Sequence, residues 1–191
     1  MQIATIILAA GQGTRMRSKL SKVLHPLLGR PMVLYSIETA QKVTGNKPFL
    51  VIGHNAEQVR QVVGNTAKFV LQELQLGTGH AVQMAEDRLR DKVNLVLVVT
   101  ADMPLIRTET LQHLIHIQRG SSGPISMLTV QVDDPRGFGR VVRDGAGRVQ
   151  AIVEEAQATG DQLQLRELNA SVYCFKASWL WDALKLSLIH I

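Results

Sequence analysis

A single cysteine, Cys174, leaves this 191-residue chain with no internal disulfide, and one thiol suits a reducing compartment. It stands in the apolar run "SVYCF", where a buried packing role is expected. Aromatic residues make up only 4% of the chain, and no interleaving with basic residues offers platforms on which bases stack. Nucleic acid is not expected as a partner. The apolar stretch "IATIILAA" is too short to span a bilayer, and no basic residues precede it as in a secretory leader. A soluble, cytoplasmic protein without a membrane partner is expected. His80 has no second histidine at metal-ligand spacing, and His113 and His116 fall on a polar helix and are expected to face solvent.

One further absence is local. No acidic residue occurs from Met1 to Ile37, whereas Arg15, Arg17, Lys19, Lys22 and Arg30 all do. The rest of the chain balances its charges, so the whole formal excess of +5 lies in this opening segment. Such a focus suits a compact polyanion better than a long backbone. Composition is otherwise ordinary, with 46% hydrophobic and 19% charged residues, enough for one substantial domain.

Apolar, β-branched runs at 3–8, 48–53, 68–72, 94–100 and 125–132 alternate with amphipathic stretches at 31–43, 56–63, 79–89 and 108–118. Continuous apolar strands separated by helices predict a doubly wound, mostly parallel α/β sheet covered on both faces. After Val132 the texture turns to short strands. "GRVVRDGAGRVQAIVEE" predicts a hairpin turning at Asp144-Gly145-Ala146-Gly147, and "ELNASVYCF" a last strand before a helix from Lys176 or Ala177. The expected organisation is one incomplete domain, with residues 1–132 binding nucleotide and the β-rich extension 133–191 binding a second substrate.

"LAAGQGTRMRSKLSK" (8–22) follows the first strand. It is no Rossmann fingerprint, because Met16 stands where the third glycine belongs, and no P-loop, because G-x-x-x-x-G-K-[ST] is missing. Its chemistry still suits phosphates. Small residues at the carboxyl edge of a parallel sheet let backbone N–H groups approach an anion, and Arg15 and Lys22 add a planar fork and a point charge.

"LAAGQGTRMRSKLSKVLHPLLGRPM" (8–32), "LQELQLGTGHAV" (71–82), "DDPRGFGRVVRD" with "IVEE" (133–155), and Asn169 in "ELNASVY" together resemble one family. It is that of sugar-1-phosphate nucleotidyltransferases with a nucleotide-diphospho-sugar transferase, Rossmann-like fold. The likeness is specifically to the uridyltransferase half of bacterial bifunctional N-acetylglucosamine-1-phosphate uridyltransferases/glucosamine-1-phosphate acetyltransferases. The resemblance implies that UTP and N-acetylglucosamine 1-phosphate are joined into UDP-N-acetylglucosamine, a peptidoglycan precursor, with Mg²⁺ as cofactor. It implies that Leu8, Ala9, Ala10 and Gly11 line the nucleotide, that Arg15 and Lys22 contact the triphosphate, and that Gln72, Gly77 and Thr78 meet the base. Asp102 becomes the Mg²⁺ ligand, and Gly139, Glu154 and Asn169 hold the sugar phosphate. On local grounds alone Thr78 reads as a helix N-cap, Asp102 as a turn or cap residue, and Gly79 and His80 as structural.

Ser21, Ala101 and Ser171 stand where the family usually has proline, glycine and glycine, and Ala156 lies where a lysine is expected. The ending "LKLSLIHI" does not resemble the family's continuation. The acetyltransferase β-helix, its trimer contacts and a second metal ligand, an asparagine, are therefore not expected, and a monomer is. "TADMPLI" also resembles cytidylyltransferases of the molybdopterin type, which keeps a different nucleotide as the alternative, and a fragment that binds nucleotide without turnover as a third reading.

Overall fold

The computed structural model describes residues 1–13 and 16–188. In chain order the elements are β1 (Ile3–Ala9), the two-residue strands β2 (Pro26–Leu27) and β3 (Arg30–Pro31), α1 (Met32–Thr44), β4 (Phe49–Ile52), α2 (Ala56–Val63), β5 (Lys68–Leu71), α3 (Thr78–Gln83) and α4 (Glu86–Leu89). Then come β6 (Leu95–Thr100), α5 (Thr108–Gly120), β7 (Ile125–Gln131), β8 (Arg140–Arg143), β9 (Val149–Val153), α6 (Gly160–Leu163), β10 (Glu167–Lys176) and α7 (Ala177–Leu188). Two compact units form: Met1–Ser126 with the stretch from Tyr173 on, and Met127–Val172. The sequence places its single division at 132/133 instead, because nothing local marks the return of the last strand and helix to the first unit.

The first unit holds the parallel strands β5-β4-β1-β6, with residues 173–176 of β10 antiparallel on β6. This is the mostly parallel α/β sheet expected. Side chains alternate across it. Ala4, Ile6, Val96 and Val98 pack with Val82, Leu89, Leu180 and Trp181 of α3, α4 and α7. Ile7, Leu50, Leu97 and Val99 on the alternate positions are equally buried, and α1 lies on β1 and α5. Both faces are covered, so the strands carry continuous apolar runs rather than alternating ones.

Helix ends follow local chemistry. Pro31 precedes α1, and Gly45, at φ +70°, closes it by donating its N–H to Gln41 O. The helix expected over 79–89 is split. Ala85 adopts ψ −1° and bonds to Val82 O in a tighter i→i−3 turn, re-aiming Leu89 into the core. Cys174 is fully buried, and burial pushes its thiol up to about 12. His113 and His116 are exposed. Among the described residues no helix is long and apolar enough to cross a membrane.

The second unit contains the β8–β9 hairpin, which bulges between Val142 and Arg143. Its turn is set by Asp144, whose Oδ1 accepts from the N–H groups of Ala146 and Arg148, both at 2.9 Å. Leu168 of β10 pairs with Arg140 of β8.

Candidate active site

Strand order puts the ends of β1 and β6 side by side. The chain runs from β1 outward through β4 and β5, then crosses back to β6 on the other flank of β1. In open α/β sheets ligands bind at the carboxyl ends of strands where the order reverses in this way. A cavity of about 550 Å³ opens there, lined by Leu8, Ala9, Ala10, Gly11, Gly13, Lys22, Gln72, Gln75, Gly77, Thr78, Thr100 and Asp102 with Met16, Val23 and Ala81. Every first-unit residue expected to meet the nucleotide or the metal lines it except Arg15, which lies outside the described residues.

The loop after β1 is held from below. Ala9 and Ala10 are 3% and 5% exposed, and Gln75 Nε2 donates to Ala10 O at 3.0 Å. Gly13 sits at φ +62°, and a Cβ there would come within 2.7 Å of Lys22 Cβ. Glycine thus serves both a left-handed conformation and a close approach, and it lets Lys22 pass beneath the loop. Lys22 opens a short 3-10 turn whose next residues, Val23 and Leu24, are buried, so its stem is anchored by its neighbours.

Lys22 Nζ donates to Asp102 Oδ2 at 2.5 Å. Burial works against ionisation of Asp102, but hydrogen bonds from Lys22 and the Thr100 hydroxyl, with the Lys22 charge and the residue's own N–H, outweigh it and hold the carboxyl below its ordinary value. The side chains are 39% and 37% exposed, so the pair is open to a ligand. Ala101, before Asp102, is fully buried and accepts at its carbonyl from Ser36 Oγ of α1. Its methyl therefore points away from solvent, although the family usually has glycine there.

Across the cavity, Gln72 follows β5 and is 3% exposed. Its Nε2 lies 3.1 Å from Gly77 O and 3.0 Å from His80 Nδ1. Gly77, at φ +104°, is the N-cap of α3, and Thr78 is the first helical residue with no side-chain cap bond. This corrects the local reading of Thr78 as the N-cap: the chain must swing through a backbone angle that favours glycine just before the helix. Gly53 also matters, since a Cβ on it would stand 3.1 Å from Ala10 Cβ, Ala10 O and Gln72 O.

In the second unit Gly139, Glu154 and Asn169 come together. Glu154 Oε1 lies 3.2 Å from the place a Cβ on Gly139 would take, and the Asn169 N–H donates to Gly139 O at 2.9 Å. The Asn169 Oδ1 accepts from the Ser171 N–H at 3.0 Å. The loop before Gly139 is braced by Arg140, 2% exposed, whose guanidinium donates to Phe138 O and to Glu155 Oε2. The Gly137 N–H donates to the same oxygen at 2.6 Å.

Among the described residues no three His, Cys, Asp or Glu side chains cluster for a metal. Mg²⁺, however, is commonly held by one or two carboxylates and the substrate's own phosphates. An ionised Asp102 on the cavity wall fits that donor set. Gln75, Thr100 and Gly53 were not singled out in sequence, whereas Gly13, read as the glycine that permits unusual backbone angles in the opening loop, holds φ +62°. Gln75 and Gly53 act through partners distant in the chain, and Thr100 through the hydroxyl it turns to Asp102.

A family model described as the MobA-like NTP transferase domain matches residues 5–169. The chain is similar to the N-terminal region of bifunctional proteins GlmU. That of Oceanobacillus iheyensis is 45% identical over 180 residues, covering 94% of this chain and 40% of that protein. That of Geobacter metallireducens is 45% identical over 183 residues, covering 95% and 38%. The chain thus spans about 40% of the length of the curated relatives it matches. In fold it is similar to the solved structure of CMP:2-keto-3-deoxy-manno-octonic acid synthetase complexed with CTP. The TM-score is 0.73 at 17% identity, over 97% of this chain and 78% of that one.

Proposed function

The chain belongs to the MobA-like NTP transferase family, and we propose that it transfers the uridylyl group of UTP to N-acetylglucosamine 1-phosphate. The observation that supports this reading is the single cavity shared by the small-residue loop after β1, the Lys22–Asp102 pair and the Gln72–Gly77–Thr78 corner. One end offers charge to a triphosphate and the other an amide to a base.

In the proposed reaction a phosphate oxygen of the sugar phosphate forms a bond to the α-phosphorus of UTP. The bond from that phosphorus to the bridging oxygen of pyrophosphate breaks, and its electron pair leaves with pyrophosphate. The attacking oxygen is largely ionised near neutral pH, so no side chain has to remove a proton. Catalysis then rests on position and charge. Leu8, Ala9, Ala10 and Gly11 seat the nucleotide, while Lys22 and Arg15 neutralise the triphosphate as negative charge spreads over its oxygens. Asp102, with the phosphates, would hold Mg²⁺, which when bound supplies further charge neutralisation. Gly139, Glu154 and Asn169 are proposed to hold the sugar phosphate, the glycine admitting a ring close to the backbone and the carboxylate and amide taking hydroxyl and acetamido groups.

A coupled pyrophosphate-release assay with UTP, N-acetylglucosamine 1-phosphate and Mg²⁺ tests this. Release is expected with UTP in preference to CTP, and Lys22→Ala should lower kcat about 100-fold, the scale of losing one fixed charge-stabilising donor. Equal turnover in the variant would remove Lys22 from the role, and preference for CTP would replace the nucleotide.

A further inference from the structure

The two neighbours of Gln72 Nε2 settle which way its amide points. A peptide carbonyl only accepts, so the group facing Gly77 O at 3.1 Å is the nitrogen. The same nitrogen faces His80 Nδ1 at 3.0 Å, and its second hydrogen goes there, so Nδ1 is the unprotonated acceptor of the imidazole. Both amide hydrogens are thereby committed to the protein. Among the described residues no donor reaches Oε1, and Gln72 lines the cavity. What the buried side chain leaves for a ligand is an acceptor.

We propose that His80 is a positioning residue that fixes the polarity of the Gln72 amide and so sets the nucleobase preference of the cavity. The inference rests on the uridylyl-transfer reading and deepens it. Uracil carries a ring N–H between its two carbonyls and can donate to Oε1. Cytosine has a lone pair at that ring position, and facing Oε1 it meets another lone pair. Without His80, only Gly77 O restrains the amide, one hydrogen loses its partner, and the side chain is freer to turn its nitrogen toward the base. A site built on a buried, correctly oriented polar group discriminates strongly, because the wrong ligand leaves that group unpaired. Loosening the group erodes the discrimination first.

The test measures UTP and CTP binding by calorimetry, with Mg²⁺, for the unaltered chain, His80→Leu and His80→Asn. An asparagine Oδ1 falls near the place of Nδ1 and restores an acceptor. The expected result is a UTP preference in the unaltered chain, roughly tenfold weaker UTP binding in His80→Leu with the UTP-to-CTP ratio moving toward one, and recovery of the ratio in His80→Asn. A parallel readout needs no nucleotide: nitrogen-15 NMR should show both Gln72 side-chain protons protected from exchange in the unaltered chain and in His80→Asn, and one unprotected in His80→Leu. An unchanged ratio in a folded His80→Leu, or no recovery in His80→Asn, overturns the role of His80 while the uridylyl reading stands. Absence of a UTP preference in the unaltered chain overturns that reading instead, and the amide protons then decide whether His80 orients Gln72: identical protection in all three proteins overturns it.

Discussion

Ser171 holds φ +56°, where an L side chain costs about 1–2 kcal/mol and where the family usually carries glycine. Its N–H bond to Asn169 Oδ1 comes from the backbone and survives any substitution that keeps the conformation. Ser171→Gly should therefore stabilise the protein by about 1 kcal/mol, glycine's larger unfolded-state entropy taking back part of the relief. Chemical denaturation checks this; a loss of stability would mean that the hydroxyl contributes more than the backbone strain costs. Ser21 differs in kind. At φ −53° it already holds the angle that a proline ring imposes, so the family's proline is replaced there without a change of backbone. Residue by residue, the small groups and cations of the opening loop are legible in sequence because their chemistry is local. The orientation of Gln72 is not, since a carbonyl and an imidazole that face it only after folding decide it.

Elements carry their own electrostatics. Glu38 of α1 accepts from Lys42 Nζ at 2.7 Å and from Arg30 Nη1 of β3 at 2.6 Å, tying the short β2–β3 hairpin to the helix. The hydrogen bond from Lys42, then that from Arg30, and their charges lower its carboxyl from 4.5 to about 2. The folded value lies below the unfolded one, so the contribution is complete above 4.5 and is lost as pH falls through about 2. Glu38→Gln should flatten this part of the acid limb, with a smaller fall in urea midpoint between about pH 5 and about pH 3 than in the unaltered chain. An equal fall would assign the acid sensitivity elsewhere. Most strands and helices fall within a residue or two of their expected bounds, because apolar period reports burial directly. The α3–α4 break escaped that reading: alanine at 85 favours helix, and the tighter turn there accompanies the packing of Leu89 into the core.

For the molecule as a whole, the acid-free opening segment supplies the cavity with its small-residue loop and with Lys22, the one of its cations that lines the cavity among the described residues. A ligand that binds only the folded state stabilises it by about 2.7 kcal/mol at roughly 100 times its Kd, or about 5–10 °C in Tm for a chain of this size. UTP with Mg²⁺ should produce such a shift by calorimetric scan, and duplex DNA at equal phosphate concentration should not. A comparable shift with DNA would mean that the basic segment reads a backbone rather than a compact triphosphate.

The amino-acid sequence by itself determined the parallel α/β class, the alternation of strands and helices, and a basic, acid-free loop of small residues after the first strand. All of these are written in neighbouring residues: hydrophobic period, turn chemistry and charge. Tertiary structure alone decided that Lys22 meets Asp102 across 80 positions of chain, that Gln75 braces Ala10 and that His80 orients Gln72. Those contacts depend on strand order, since the crossover that returns β6 to the flank of β1 brings separate loops to one sheet edge, and no local pattern encodes which loops will meet there.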